Sequence, residues 1–231
     1  MGARGAAFFD VDETLITLNS CIDFLDHRMH RSRDPRVSAW RLLAPVVGLD
    51  RVEANRAYFR LYAGLSVASV AAQGRAWFAE VRDRLFHQPV LAELRAHSAR
   101  GARIVLVSGA FPACLDPIAA AVGAADVLCS LPVVADGRYT GETERTMIGA
   151  AKATAARAYL AAHAIAAADC HAYGDHASDL PMLDTVGTPV VVGADPVLSP
   201  LAVRRGWRAL PGPAPYRETV AHHLSAGAPL P

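Results

Sequence analysis

The stretch Gly5-Ala6-Ala7-Phe8-Phe9-Asp10-Val11-Asp12-Glu13-Thr14-Leu15 decides the fold. Its apolar run, Gly5 to Phe9, is short and apolar on both faces, the pattern of a strand buried in a parallel sheet; we expect that strand over Ala6 to Val11. It ends in two aspartates one residue apart, followed by a small hydroxyl residue. Like charges held together raise each other's cost of ionisation. A divalent cation removes that conflict, and one carboxylate can then act as a nucleophile. Taken alone, the same residues also read as a strand entering an Asp-rich turn or a helix cap. The rest of the chain has to choose between the two.

The 231 residues suit one large domain, or one domain with an inserted module. Apolar residues make up 52% and charged residues 19%, enough for a full core and unlike a disordered chain. A formal net charge of +1 gives no electrostatic case for nucleic acid or an anionic membrane. The basic residues are scattered, and the densest cluster, His27 to Arg36, also contains Asp34. Cys21, Cys114, Cys129 and Cys170 stand far apart, with no CxxC pair or zinc-type spacing. They read as small buried filler in a reducing compartment. The first residues lack the apolar core of a signal peptide, and no apolar stretch reaches membrane-span length. The expectation is a soluble, cytoplasmic protein.

From Ser20 to about His87 the pattern is helix after helix. Apolar residues recur three and four apart at Ile22, Leu25 and Met29, and again at Val52, Tyr58, Phe59 and Tyr62. Pro35, Pro45, Gly48, Gly64 and Pro89 punctuate it, and Ser66 is placed to cap a helix through Val70, Trp77 and Val81. This segment reads as a helical module inserted after the first strand. A helix over Pro89 to Arg100, stopped by Gly101, leads to a second buried strand, Arg103 to Val107, ending at Ser108-Gly109. A helix over Pro112 to Val122 and a short strand over Ala125 to Ser130 follow. Asp136-Gly137 between Leu131–Val134 and Arg138–Thr140 signals a hairpin. An Ala-rich helix, Gly149 to His163, carries Lys152. A strand over Cys170 to Tyr173 runs into Gly174-Asp175, and a helix begins over Asp179 to Asp184. A strand at Pro189–Val192, a helix at Val197–Arg205 and a strand at Trp207–Leu210 complete the pattern, before a loose Pro-, Gly- and Ala-rich tail over 211–231.

Strands alternating with helices imply an α/β fold with a parallel, doubly wound sheet and right-handed crossovers. Ligands of such sheets bind beyond the carboxyl ends of the strands. Every polar signal falls at such an end. A phosphate monoester needs a nucleophile, a proton donor for the leaving oxygen, donors for the equatorial oxygens and a compensating cation. Asp10 can attack phosphorus, and Asp12 is placed to protonate the leaving group and then activate water. Ser108 and the main-chain N–H of Gly109 can bind phosphate oxygens. Lys152 supplies fixed positive charge. Asp175 and Asp179, four apart at a strand-to-helix junction, can face one hard cation, and oxygen ligands beside a phosphate suit Mg²⁺. Each piece has a plainer reading alone: Ser108-Gly109 as a turn, Lys152 as a solvated helix lysine, Asp179 as a helix cap. Those readings would all have to hold at once, in this order and at strand ends.

Together these motifs resemble the haloacid dehalogenase (HAD) superfamily, and within it the subfamily IB branch of phosphoserine phosphatase-like enzymes. Asp10-Val11-Asp12-Glu13-Thr14 matches the first motif, Ser108-Gly109 the second, Lys152 the third and Gly174-Asp175-His176-Ala177-Ser178-Asp179 the fourth. Asp136 to Gly141, Asp195-Pro196 and Gly206-Trp207 extend the likeness to about Leu210. The resemblance implies a Rossmann-like core over 1–18 plus 88–210, a helical C1 cap over 19–87, Mg²⁺ dependence, and two-step transfer through an aspartyl phosphate. It also implies that Asp10, Asp175, Asp179 and the main-chain carbonyl of Asp12 hold the metal. There are departures. Glu13 stands where glycine or another small residue is frequent, Ser178 replaces a frequent asparagine, and His176 adds a titratable group, read here as a solvent-facing loop residue. Asn19 lies where phosphoserine phosphatases carry a glutamate for the substrate ammonium, and an amide cannot supply that charge, so phosphoserine is not the expected substrate. Asn19, Ser20 and Asp23 are the candidate specificity residues, with Arg56, Tyr58 and Arg60 further along the module; Arg56, Arg60 and Tyr62 also read as an ordinary solvated helix face. The expected activity is Mg²⁺-dependent hydrolysis of a small phosphate monoester. A phosphotransferase or mutase would use the same aspartyl phosphate, and a non-catalytic binding protein could retain the fold.

Overall fold

The computed structural model describes residues 5–31, 42–43 and 48–214. Pro35, Pro45 and residues 215–231 of the tail expected over 211–231 lie outside these residues.

Eight strands and eight helices carry the described chain. The strands are β1 Ala6–Phe9, β2 Arg103–Ser108, β3 Asp126–Cys129, β4 Leu131–Ala135, β5 Arg138–Arg145, β6 His171–Gly174, β7 Thr188–Val192 and β8 Arg208–Leu210. The helices are α1 Ser20–Arg31, α2 Arg51–Arg60, α3 Val67–Leu85, α4 Gln88–Ala99, α5 Pro112–Val122, α6 Ala150–Ala162, α7 Leu180–Leu183 and α8 Leu198–Arg205. Six strands form one sheet in the order β3-β2-β1-β6-β7-β8, and every pair in it is parallel. Alternation along β1 divides the core in two. Ala7 and Phe9 face one side with Leu106 and Tyr173, against α1–α5, while Ala6 and Phe8 face the other with Val107 and Ala172, against α6–α8. Both faces are covered, which is why the strands read as unbroken apolar runs.

The chain leaves β1 in one direction to build β2 and β3, then returns to lay β6 on the other side of β1. The carboxyl end of β1 is thus a topological switch point, where open α/β sheets bind their ligands. The register fixes what meets there: Phe9 is level with Leu106 of β2 and with Tyr173 of β6, and the Asp10 N–H donates to the Tyr173 carbonyl at 3.0 Å.

Helices α1–α3 sit between β1 and β2 in the chain. The strands of chain entering and leaving this insertion run side by side: Thr17 N–H donates to Leu85 O at 2.8 Å, and His87 N–H to Leu15 O at 2.9 Å. Asp50 caps α2 by accepting from the N–H groups of Val52 and Glu53, and Ser66 caps α3 as expected. Close packing holds α3 to α5. At Gly74 a Cβ would lie 1.9 Å from the Ala113 carbonyl oxygen, so only glycine fits there.

Two local expectations are corrected. The hairpin runs on to Arg145, because Gly141, at φ +91°, lets β5 pass close to Ala63 of the insertion. Its turn is the expected one, with both Asp136 (φ +50°) and Gly137 (φ +71°) in the left-handed region. The expected helix over Asp179–Asp184 is present as the four-residue α7, entered through a tight turn at Ala177–Asp179. Tyr62 is fully buried rather than on a solvated face, because Phe111 and Tyr139, distant in sequence, pack against its ring. Cys114, Cys129 and Cys170 are buried free thiols. No described helix is long and apolar enough to cross a membrane.

Candidate active site

The first strand ends and the chain swings through one wide turn, Val11–Leu15. Asp10 leaves it extended (φ −60°, ψ 152°), while Glu13 is forced left-handed (φ +60°, ψ 0°). That is the physical reason a small residue, above all glycine, suits position 13. The turn points Asp10, Asp12 and Thr14 back over the sheet edge. The Thr14 hydroxyl donates to Asp175 Oδ1 at 2.8 Å, tying the first strand end to the fourth-motif loop.

Three carboxylates converge. Asp10, Asp175 and Asp179 each offer an oxygen within 4.8 Å of the others. Lys152 reaches them from α6: its Nζ lies 2.5 Å from Asp10 Oδ1 and 2.6 Å from Asp179 Oδ1. It is 4% exposed, so it is not a solvated helix lysine. Burial works against its charge, but Asp10 and Asp179 outweigh that and hold its pKa above the usual lysine value. The carboxyls show the opposite imbalance. Burial first, then the charges of Asp10 and Asp179, push Asp175 well above the usual range; burial also raises Asp179, with Lys152 opposing. One ammonium among three carboxylates, two of them buried and Asp175 partly so, leaves a deficit of positive charge. Oxygen ligands in that state fit a hard divalent cation.

Asp179 also carries a local role. Its Oδ2 accepts from His176 N–H at 3.2 Å while His176 Nδ1 accepts from Ser178 N–H at 3.0 Å, a reciprocal cap on the Ala177–Asp179 turn. His176 is therefore half-buried and engaged, not the solvent-facing residue expected, and burial lowers its pKa. Asp195 braces the same loop, accepting from Ala177 N–H at 3.2 Å. Gly174 makes room for all of this: a Cβ there would sit 2.6 Å from that of Asp179.

Asp12 stands apart from the carboxylate cluster. Its Oδ1 accepts from the Ser20 N–H at 3.0 Å, at the first turn of α1. Burial is the main cause that pushes its pKa up to about 7, with Asp10 adding to it and the Ser20 contacts opposing. A carboxyl titrating near neutrality is the kind that gives up and takes back a proton at working pH. On the far side of β1, Ser108 is buried at the end of β2, and its Oγ accepts from Ala110 N–H at 3.0 Å, leaving its proton to donate elsewhere.

Of the expected specificity residues, Asn19 and Ser20 lie beside Asp12, and Asn19 is already occupied locally. Asn19 Oδ1 accepts from Ile22 N–H at 3.1 Å, and Ser20 is fully buried. Asp23 is turned away, accepting from Trp77 Nε1 at 2.8 Å. Arg56 is exposed and pairs with Glu53 at 2.7 Å, and Arg60 is exposed. Tyr58 is buried, its hydroxyl donating to the Cys21 carbonyl at 2.9 Å. Two residues that patterning does not single out also meet here. Asn55 of α2 reaches Gly109 and Ser130. The sequence offers one signal for it: an amide one helical turn before the buried Tyr58-Phe59 pair.

The chain is similar to known proteins. A family model described as haloacid dehalogenase-like hydrolase matches residues 7–184. The "Inhibition of morphological differentiation protein" of Streptomyces azureus is 32% identical over 223 residues, covering 93% of this chain and 80% of its own. "Probable phosphatase Rv3661" of Mycobacterium tuberculosis is 32% identical over 216 residues, 90% of this chain and 75% of its own. A protein of unknown function from Bordetella pertussis Tohama I superposes with a TM-score of 0.79 at 27% identity, covering 90% of this chain and 98% of the other.

Proposed function

The chain belongs to the haloacid dehalogenase-like hydrolase family, and we propose that it is a phosphomonoesterase acting on a small organic phosphate through an aspartyl phosphate on Asp10. The observation that carries this reading is the convergence of Asp10, Asp175 and Asp179 at the switch point of the sheet, with Lys152 paired to Asp10 and Asp179. Asp10 Oδ attacks phosphorus, and the bond to the leaving oxygen breaks. Asp12, protonated near neutrality, gives that oxygen its proton, so the alcohol departs neutral. The Asp12 carboxylate then takes a proton from water, which attacks the aspartyl phosphate. Phosphate leaves, and both aspartates return to their starting states. Lys152 holds Asp10 in place and offsets phosphoryl charge, and Ser108 and the Gly109 N–H donate to the phosphoryl oxygens. Asp10, Asp175 and Asp179, with the Asp12 main-chain carbonyl, are the groups that would hold Mg²⁺, which supplies charge compensation and orientation when bound. In this reading residues 19–87 are a cap that shields the site from water.

Asn19 favours a substrate without the ammonium of phosphoserine, since its amide carries no charge and already caps α1. The test is a panel of small phosphate esters with Mg²⁺ and with Asp10→Asn, scored by released phosphate. Phosphate should appear in step with substrate loss and vanish in the variant. No release from any ester, or release that survives Asp10→Asn, overturns the reading; substrate loss without equivalent phosphate points to transfer instead.

A further inference from the structure

We propose that Asn55 is a positioning residue that ties the helical insertion to the phosphate-binding loop and sets the Ser108 donor. The inference rests on the phosphatase reading above. Asn55 Nδ2 donates to the Gly109 carbonyl at 2.8 Å. That carbonyl belongs to the same peptide unit as the Ala110 N–H, which donates to Ser108 Oγ at 3.0 Å. The Gly109–Ala110 peptide plane is therefore gripped on both edges, from the insertion by Asn55 and from β2 by Ser108. A peptide plane is rigid, so fixing its carbonyl fixes the direction of its N–H. The Ala110 N–H occupies a lone pair of Ser108 Oγ and so leaves the hydroxyl proton to donate outward, toward a phosphoryl oxygen.

The other end of the amide is anchored as firmly. Asn55 Oδ1 accepts from Ser130 Oγ at 3.2 Å. Ser130 is fully buried, its N–H donates to the Ala110 carbonyl at 3.0 Å, and its Oγ accepts from Met147 N–H at 2.9 Å. Met147 leads through Gly149 into α6, which carries Lys152. One side chain of the insertion thus joins the loop that would bind phosphate to the segment that leads to the lysine. Gly109 also gives Ile148 room, since a Cβ there would crowd Ile148 Cγ1 at 3.2 Å. When the insertion is seated, as here, the Ser108 donor is set. When it lifts, Asn55 leaves with it and the peptide plane loses one of its two grips.

Two variants separate positioning from mere support. Asn55→Ala removes both contacts. Asn55→Asp, assayed at pH 8, keeps an acceptor for Ser130 Oγ but sets an oxygen against the Gly109 carbonyl. The probes are para-nitrophenyl phosphate for turnover and orthovanadate as a five-coordinate phosphoryl mimic. Both variants should lower kcat about ten- to hundredfold with KM changed far less, the scale of one lost oriented donor. Vanadate inhibition should weaken in proportion to kcat/KM, whereas inhibition by inorganic phosphate should weaken less. Asn55→Asp, with a carboxylate set against a carbonyl oxygen, should melt no higher than Asn55→Ala and lose at least as much turnover. Wild-type kcat in folded Asn55→Asp, or a loss of stability with kcat and vanadate affinity intact, overturns the proposal. Failure of the wild type to turn over any phosphate ester would instead overturn the phosphatase reading on which it stands.

Discussion

Lys152→Met removes a charge while roughly preserving volume, and its consequences follow from the ion cluster. In the wild type the ammonium sits 2.5 Å from Asp10 and 2.6 Å from Asp179, and all three side chains are nearly inaccessible to solvent. Breaking a buried pair by deleting one partner costs about 3–5 kcal/mol, because the carboxylates stay behind uncompensated. For a chain of this size about 1 kcal/mol moves Tm by roughly 2–4 °C, so the variant should melt roughly 6–20 °C lower at pH 8 without divalent ions. The pH dependence has a definite sign. The wild-type lysine is held above its ordinary pKa, so its contribution is fully present across pH 5–8 and is lost only at strongly alkaline pH. In the variant Asp179, already raised by burial, loses the lysine that opposes that rise, so the penalty is largest at pH 8 and shrinks as it protonates on acidification. Mg²⁺ should stabilise the variant more than the wild type, since it replaces the missing charge. The assay is thermal unfolding by circular dichroism at pH 8 and pH 5, with and without Mg²⁺. A variant that melts within 2 °C of wild type at pH 8 without metal would refute the electrostatic account, since no buried charge would then have been left unpaired.

Two further outcomes follow from single contacts. Asp12→Asn should lower kcat/KM about 10²–10⁴-fold for an alkyl phosphate and much less for para-nitrophenyl phosphate, whose leaving group needs no proton. Because the acid form is the active one and its pKa is pushed up to about 7, wild-type kcat/KM for the alkyl ester should fall as pH rises through that value, a slope that pH–rate profiles read directly. Gly74→Ala would place a Cβ 1.9 Å from the Ala113 carbonyl oxygen, which is backbone and cannot turn away, so α3 must lift from α5. Thermal unfolding should show a loss of about 1–3 kcal/mol, the scale of overpacking.

The sheet was legible because burial on both faces writes itself as short apolar runs, and every strand of the main sheet lies within a residue or two of its expected place. The candidate site was legible for the same reason: Asp10, Ser108 and Asp175 stand at the ends of such runs, and parallel register does the rest. What stayed hidden depends on partners remote in the chain. Tyr62 looked solvated because nothing near it in sequence announces Phe111 and Tyr139. His176 looked free because its cap on Ser178 is a matter of backbone shape. Asn55 gave almost no signal, since a helical asparagine is ordinary until Gly109 and Ser130 arrive from elsewhere in the chain. Glu13 was visible as a departure from pattern, but its cause, a left-handed φ of +60°, needed the structure.

The central claim is that Asp10 becomes covalently phosphorylated during turnover. Rapid acid quench of enzyme turning over a phosphate ester, followed by borohydride, reduces an aspartyl phosphate to homoserine, which peptide mass spectrometry can locate. The account predicts homoserine at position 10, dependent on substrate and absent without it. Turnover with no reducible acyl phosphate at position 10, or with the label at another residue, would contradict it.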